Sequence, residues 1–352
     1  MLEEKMKKML IIVPPMSGHG GTESVLKKVL SRNPNRYFLF VVSTKDSLWL
    51  KGTKIDDSDI YVGNNNKIKK IIDLIKVIKK IKPQVVISLH TNYVYFLFHI
   101  RRIFNLQFKL VSWIHFSLFN EPSVNTKWLK LADYHLAISD GIANQMLELG
   151  IPSSKVFRVK NPIERQSKII FQSPCKSNFI YIGRTYLHGQ KNLAELMDGL
   201  ALVDHPWHLD VYGDGPDFDA CQQYAQNKGI SNKINWHGFT QKPFEKIKTA
   251  DALLLSSTYE GLPMVILEAM SYGVPCISSN CPSGTTELIK NGKNGYLYNM
   301  GDSDDLAKKV IKYITNGVEM TNSEIKLTIN DFYEDNYFSR LDHTIDKIKG
   351  KD

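Results

Sequence analysis

The residues best suited to chemistry lie in Tyr259-Glu260-Gly261-Leu262-Pro263-Met264-Val265-Ile266-Leu267-Glu268-Ala269-Met270. The apolar run Ala252 to Leu255 before them reads as a strand. Glu260 therefore falls just past a strand's C-terminal end, where open α/β sheets bind ligands. Pro263 opens a helix whose free N–H groups point back at the same crevice. Glu268 sits inside that helix among Ile266, Leu267, Ala269 and Met270. A carboxylate in such surroundings is costly without donors, and ribose hydroxyls are suitable ones. The structural alternative is a capping glutamate followed by an exposed helical one, since acids favour helix starts.

A second candidate is Met16-Ser17-Gly18-His19-Gly20-Gly21-Thr22-Glu23, between the apolar run Met9 to Val13 and a helical pattern of Val25, Leu26, Val29 and Leu30. Glycines at Gly18, Gly20 and Gly21 would let the backbone approach a ligand, with the helix N-terminus facing anionic oxygens. A plain turn is the competing reading. The spacing is not Gly-x-Gly-x-x-Gly, and no acidic residue ends a clear second strand, which argues against a nicotinamide dehydrogenase. No His/Cys cluster stands out, so no metal is implied. Cys175, Cys221, Cys276 and Cys281 lack paired metal spacing and are expected as buried, reduced thiols.

These residues need two frames to hold them. The 352 residues exceed what one core usually serves, and the apolar and charged fractions of 43% and 23% are those of a soluble globular chain. Short apolar runs alternate with helical patterns throughout, which predicts parallel sheets flanked by helices. Strands are expected at Met9 to Val13, Tyr37 to Val42, Gln84 to Leu89, Phe108 to Trp113, Tyr134 to Ile138 and Val156 to Val159. A second series follows at Phe179 to Ile182, His208 to Tyr212, Lys233 to Trp236, Ala252 to Leu255, Pro275 to Ser278 and Gly295 to Tyr298. Asn161 to Ser177, polar and carrying Pro162 and Pro174, reads as a linker between them. Residues 1–160 and 161–331 are the expected domains. The final pattern of Phe332, Tyr333, Tyr337, Leu341, Ile345 and Ile348 is expected to return to the first.

Charge is uneven. Residues 1–160 carry 25 basic and 12 acidic side chains, the remainder 20 and 24, within a net charge of +9. The first half therefore suits an anionic partner, a phosphorylated acceptor or an acidic lipid surface, although solvated lysines alone would give the same count. In Lys67 to Lys82, Ile68, Ile71, Ile72, Ile75 and Ile78 are expected on one face with seven lysines around it. A crossover helix covering the sheet is favoured over a membrane-lying one, with its lysines still able to touch headgroups. Lys5-Met6-Lys7-Lys8 and the apolar run after it imitate a signal peptide, but the run stops at Pro14-Pro15 and is read as a strand. Tyr93 to Ile100 falls short of the ~20 residues a spanning helix needs. A cytoplasmic protein with no nucleic-acid partner is expected.

The Glu-x7-Glu pattern, the strand before it and Ser271-Tyr272-Gly273-Val274-Pro275-Cys276-Ile277 after it resemble family 4 glycosyltransferases. Ser112-Trp113-Ile114-His115-Phe116-Ser117, Ala132-Asp133-Tyr134-His135-Leu136-Ala137-Ile138-Ser139, Gly189-Gln190-Lys191 and Cys281-Pro282-Ser283-Gly284 resemble the bacterial lipopolysaccharide core galactosyltransferases within that family. The resemblance implies a GT-B fold, two doubly wound Rossmann-like domains facing across a cleft, and transfer of a hexose with retained anomeric configuration. It implies UDP-galactose as donor, a lipopolysaccharide or lipid-linked glycan as acceptor, no cofactor, and peripheral contact with the anionic inner face of the cytoplasmic membrane. By the same resemblance Glu268 holds the ribose, Glu260 faces the sugar hydroxyls, and the backbone of Gly261 to Met264 (Gly261, Leu262, Pro263, Met264) follows the sugar and phosphates. Gly238 and Phe239 join the donor contacts. Arg184 and Lys191 clamp the diphosphate, a task that suits cations facing a leaving group that gathers charge. His115 falls near the donor sugar, with a satisfied core histidine as the alternative. Open alternatives are a glucosyl- or N-acetylhexosaminyltransferase of capsule or exopolysaccharide synthesis, a nonhydrolysing nucleotide-sugar epimerase, and a noncatalytic nucleotide-sugar sensor.

Overall fold

The computed structural model describes residues 8–16, 20–42, 48–50, 52–64 and 66–350. The chain divides into two compact units, Met1–Pro162 with Tyr337–Asp352, and Ile163–Asn336.

The first unit is built on seven parallel strands: β1 (Met9–Val13), β2 (Tyr37–Val41), β3 (Ile60–Val62), β4 (Val85–Ser88), β5 (Lys109–Ser112), β6 (Tyr134–Ala137) and β7 (Val156–Arg158). They lie in the order β3-β2-β1-β4-β5-β6-β7. Runs such as Met9–Val13 and Tyr37–Val41 are buried along their whole length, as strands covered on both faces require. The second unit has β8 (Asn178–Ile182), β9 (His208–Tyr212), β10 (Ile234–Gly238), β11 (Ala252–Leu255), β12 (Cys276–Ser279) and β13 (Gly295–Tyr298), ordered β10-β9-β8-β11-β12-β13. In each sheet the order reverses beside the first strand, so each has a crevice between diverging connections at its C-terminal edge.

Four expectations are corrected. β3 is absent from the expected strands: three half-exposed residues, framed by Asp56, Asp57 and Asp59 before and Asn64 and Asn66 after, give no periodicity to read. Such brevity is also how an edge strand avoids foreign pairing. Second, the helix Lys67–Ile81 turns Leu74, Val77 and Ile78 into the core formed with Leu10, Phe38, Phe40, Val86, Val94 and Leu97. Ile68 and Ile72, expected on that buried face, are 71% and 46% exposed. The helix does serve as a crossover, because each buried aliphatic contributes about 1.5–3 kcal/mol and outweighs any surface preference. Asn66 caps it by accepting from the Ile68 and Lys69 N–H groups, and it ends at Lys82, whose φ of 47° precedes Pro83.

Third, of the stretch Asn161 to Ser177 read as a linker, residues 163–177 belong to the second unit. Asp251, fully buried, accepts from Ser173 N and Asn178 N, both at 2.6 Å, and from Ser173 Oγ at 2.5 Å. Ile163 pairs with Tyr333, and Phe171 with Thr249. The polar composition thus satisfies a buried carboxylate. The closing apolar pattern is likewise split: Phe332 and Tyr333 stay with the second unit, whereas Tyr337, Phe338, Leu341, Ile345 and Ile348 of the helix Glu334–Lys349 are buried with the first. There Arg36 pairs with Asp342, and Arg32 lies 5.6 Å from the Phe338 ring centroid. Fourth, all four cysteines are free, but Cys175 is exposed, since its loop does not enter the core.

Candidate active site

The C-terminal edge of the second sheet is lined by glycine. Gly183, Gly213 and Gly238 follow β8, follow β9 and close β10, respectively. Gly183 N donates to Tyr212 O at 3.1 Å, and Gly213 N to Gly238 O at 2.9 Å. A Cβ on Gly213 would lie 1.7 Å from Gly183 O, so no side chain fits there. Gly238 has φ +64°, and the 61% exposed Phe239 follows it. Glycine there lets the two backbones pack closely, and Gly183 and Gly238 stay partly exposed at the strand edge. Sequence reasoning missed Gly213 and Gly215, although Tyr212-Gly213-Asp214-Gly215 after a strand carried the signal.

Glu260 stands beyond β11, only 7% exposed. Its Oε1 is 2.6 Å from Lys191 Nζ, with the two side chains 9% and 16% exposed. Backbone stitching brings the lysine there. Thr258 N donates to Gln190 O at 2.8 Å, Thr258 Oγ1 to Gly189 O at 3.1 Å, and Ser256 Oγ to Lys191 O at 2.8 Å. From the other side Ser283 Oγ donates to Glu260 O at 2.5 Å. Gly284 has φ +119°, and a Cβ on it would meet Pro263 Cδ at 2.7 Å. The Cys281 to Gly284 loop thus braces the Glu260 to Pro263 loop, a positioning role that sequence reading did not assign. Gly261, Leu262 and Pro263 are buried, and Pro263 is the N-cap of the helix Met264–Ser271, on which Glu268 is half-buried. Arg184 is exposed beside Gly183. The buried hydroxyls of Thr185 and Ser257 have no hydrogen-bond partner among the described residues.

In the first unit His115 follows β5. It is 8% exposed, and neither ring nitrogen has a hydrogen-bond partner among the described residues. Burial pushes it down to about 3, so the ring is neutral at physiological pH and can accept or donate one hydrogen bond on each side. It is not a satisfied core histidine. Trp113, whose ring centroid is 4.7 Å away, holds the imidazole from one side. Gly20 is the N-cap of the helix Gly21–Arg32, and Gly21 is exposed. A Cβ on Gly20 would lie 2.6 Å from Glu23 Oε2, so a carboxylate already answers this helix start. Gly18 lies outside the described residues.

The structure therefore joins Lys191 to Glu260, sets Arg184, Gly238 and Phe239 along the same strand edge, and leaves His115, Gly20 and Gly21 in the other unit. Such a site offers cations, a buried carboxylate and open backbone, which suits an anionic, hydroxyl-rich ligand.

Comparison with known proteins agrees. The family described as glycosyl transferases group 1 matches residues 163–328. The chain is 35% identical to lipopolysaccharide 1,6-galactosyltransferase of Escherichia coli (strain K12), covering 96% of this chain and 98% of that one. Identity to the protein of the same description from Salmonella typhimurium is also 35%, with the same coverage. Among solved structures, the apo form of the lipopolysaccharide outer core galactosyltransferase WaaB superposes with a TM-score of 0.86 at 33% identity, covering 96% and 99% of the two chains. Anabaena HepE in complex with UDP and glucose, at 18% identity and a TM-score of 0.79 over 96% and 100%, shares the fold. The two doubly wound units are those of the GT-B fold, and the chain is a glycosyltransferase belonging to the group 1 family.

Proposed function

We propose that this enzyme moves galactose from UDP-galactose onto a lipopolysaccharide core glycan with retention of anomeric configuration. The observation that carries the reading is the buried Lys191–Glu260 pair at the glycine-lined strand edge, in a chain similar along nearly its whole length to lipopolysaccharide 1,6-galactosyltransferases. When the bond between the anomeric carbon and the diphosphate oxygen breaks, negative charge gathers on that oxygen. Arg184 and Lys191 supply the counter-charge, and no metal is called on. Glu260 receives sugar hydroxyls and Glu268 the ribose. Gly238, Phe239 and the backbone of Gly261 to Met264 complete the donor contacts.

The enzyme works peripherally at the inner face of the cytoplasmic membrane. No helix among the described residues is long and apolar enough to cross it. On the helix Lys67–Ile81, however, the exposed Ile68 and Ile72 stand among the exposed Lys69, Lys76, Lys79 and Lys80. This combination suits anionic headgroups over acyl chains.

The deciding experiment is a panel of UDP-galactose, UDP-glucose and UDP-N-acetylglucosamine against lipopolysaccharides truncated at successive core sugars, followed by linkage analysis. Transfer of galactose with an α-linkage is the expected result. A preference for glucose or N-acetylglucosamine corrects the donor. Interconversion of donor sugars without acceptor would mark an epimerase and refute transfer.

A further inference from the structure

The segment after His115 runs Phe116-Ser117-Leu118-Phe119-Asn120-Glu121, and its burial alternates sharply. Ser117 and Leu118 are 0% and 1% exposed, while Phe116 and Phe119 are 40% and 50% exposed. The loop is held from beneath. Leu118 N donates to Oε1 of the buried Gln145 at 2.8 Å, and Ser117 Oγ donates to Asn120 Oδ1 at 3.0 Å. Further on, Asn125 N donates to Thr91 Oγ1 at 3.0 Å, at the start of the helix that follows β4. Glu121 accepts from Ser123 N at 3.2 Å and Ser123 Oγ at 2.9 Å, and its charge reaches His90, which follows β4. The loop thus crosses the C-terminal ends of β4 and β5, the edge at which this type of sheet receives ligands.

Phe116 and Phe119 thus offer partly exposed aromatic surface at the edge where ligands are received. The local charge says which ligand. Residues 111–126 contain no lysine or arginine and one acid, Glu121, so the loop lacks what an anionic bilayer attracts. A sugar ring offers an apolar C–H face to an aromatic ring and hydroxyls to carboxylate and imidazole neighbours.

We propose that Phe116 and Phe119 form the platform on which a hexose of the acceptor glycan stacks, with Glu121 and His90 taking its hydroxyls. The proposal rests on the transferase reading above and adds the acceptor subsite to it. The platform begins one residue after His115, whose buried ring nitrogens have no hydrogen-bond partner among the described residues.

The test uses the full chain and the delipidated core oligosaccharide of a lipopolysaccharide lacking the transferred galactose. Its binding is measured by calorimetry beside the binding of UDP, and the acceptor KM is measured beside the donor KM. Phe116→Ala with Phe119→Ala should weaken oligosaccharide binding and raise the acceptor KM at least tenfold, with UDP affinity and donor KM moving less than twofold. Phe116→Trp with Phe119→Trp should restore binding. Unaltered oligosaccharide affinity in the double alanine variant overturns the subsite alone, as does an equal loss of UDP affinity in a variant with an unchanged melting temperature. A native chain that neither binds nor glycosylates any core oligosaccharide overturns the transferase reading, and the subsite with it.

Discussion

Lys191→Ala tests whether the Lys191–Glu260 pair is a working unit or a coincidence of neighbours. The substitution leaves the Glu260 carboxylate, 9% exposed, without its cation. Removing one partner of a fully buried pair costs ~3–5 kcal/mol. Because the lysine retains 16% exposure, water can partly replace it, and the lower figure of about 2–3 kcal/mol applies. For a unit of this size 1 kcal/mol shifts the melting temperature by about 2–4 °C, so the variant should melt roughly 5–10 °C lower. Glu260→Gln strands the lysine instead and keeps the side-chain volume. Glu260→Ala would add a void to the lost charge and is the poorer control. The double variant, with neither charge, should be less destabilised than the sum of the singles by about 1–3 kcal/mol. Urea unfolding of the four proteins gives this coupling. Additivity within ~0.5 kcal/mol would refute the pair as an energetic unit. Turnover offers a second reading, since loss of a charge-assisted contact worth about 1.5–3 kcal/mol in the transition state slows transfer by roughly 10–150-fold.

Two further outcomes follow from other parts of the fold. Replacing Lys69, Lys76, Lys79 and Lys80 by Gln should weaken flotation with phosphatidylglycerol-rich vesicles by roughly a hundredfold or more at low salt, at ~1 kcal/mol per lysine near an anionic surface; undiminished flotation would dismiss the surface. The second concerns acid. His115 is held at about 3 and His135 at about 4, both by burial, against an ordinary value of 6.5. The unfolded chain therefore takes up these protons first, so stability present above pH 6.5 is lost progressively as pH falls toward 4 and then 3. Each histidine contributes a slope of up to ~1.4 kcal/mol per pH unit in that window. His115→Gln should remove its share between pH 6 and 5, as read from urea midpoints, and an unchanged slope would contradict a buried neutral imidazole.

Most strands were legible because a parallel sheet covered on both faces demands continuous apolar runs, and Met9–Val13 or Tyr37–Val41 admit no other reading of that length. β3 was not, because at three half-exposed residues hydrogen bonding to β2 decides it, not composition. The face of the helix Lys67–Ile81 was misjudged for a related reason. Isoleucines and leucine recur around most of that helix, so its sequence permits several stripes. The sheet beneath selects the one through Leu74, Val77 and Ile78. Residues 163–177 escaped too, since the partner that orders them, Asp251, lies far along the chain and looks in sequence like an ordinary surface acid.

The site was legible to the same depth and failed at the same kind of place. Glu260 and Glu268 announce themselves, because a carboxylate past a strand end and another within an apolar helix both require donors. Arg184 and Lys191 are named by resemblance, but nothing in their spacing says that Lys191 meets Glu260 across 69 residues. That contact is made by backbone bonds from Thr258 and Ser256 to the loop at Gly189 to Lys191, none of which depends on a distinctive side chain. The contact of Ser283 was illegible for the same reason, although its stretch carried the resemblance: its hydroxyl matters because the backbone sets it 2.5 Å from Glu260 O. What sequence conveys well is thus the chemistry of side chains that are out of place. What it conveys poorly is the backbone frame that brings them together. The identity of the hexose belongs to that second category, since it depends on how a backbone frame presents hydroxyls and not on the type of any one side chain.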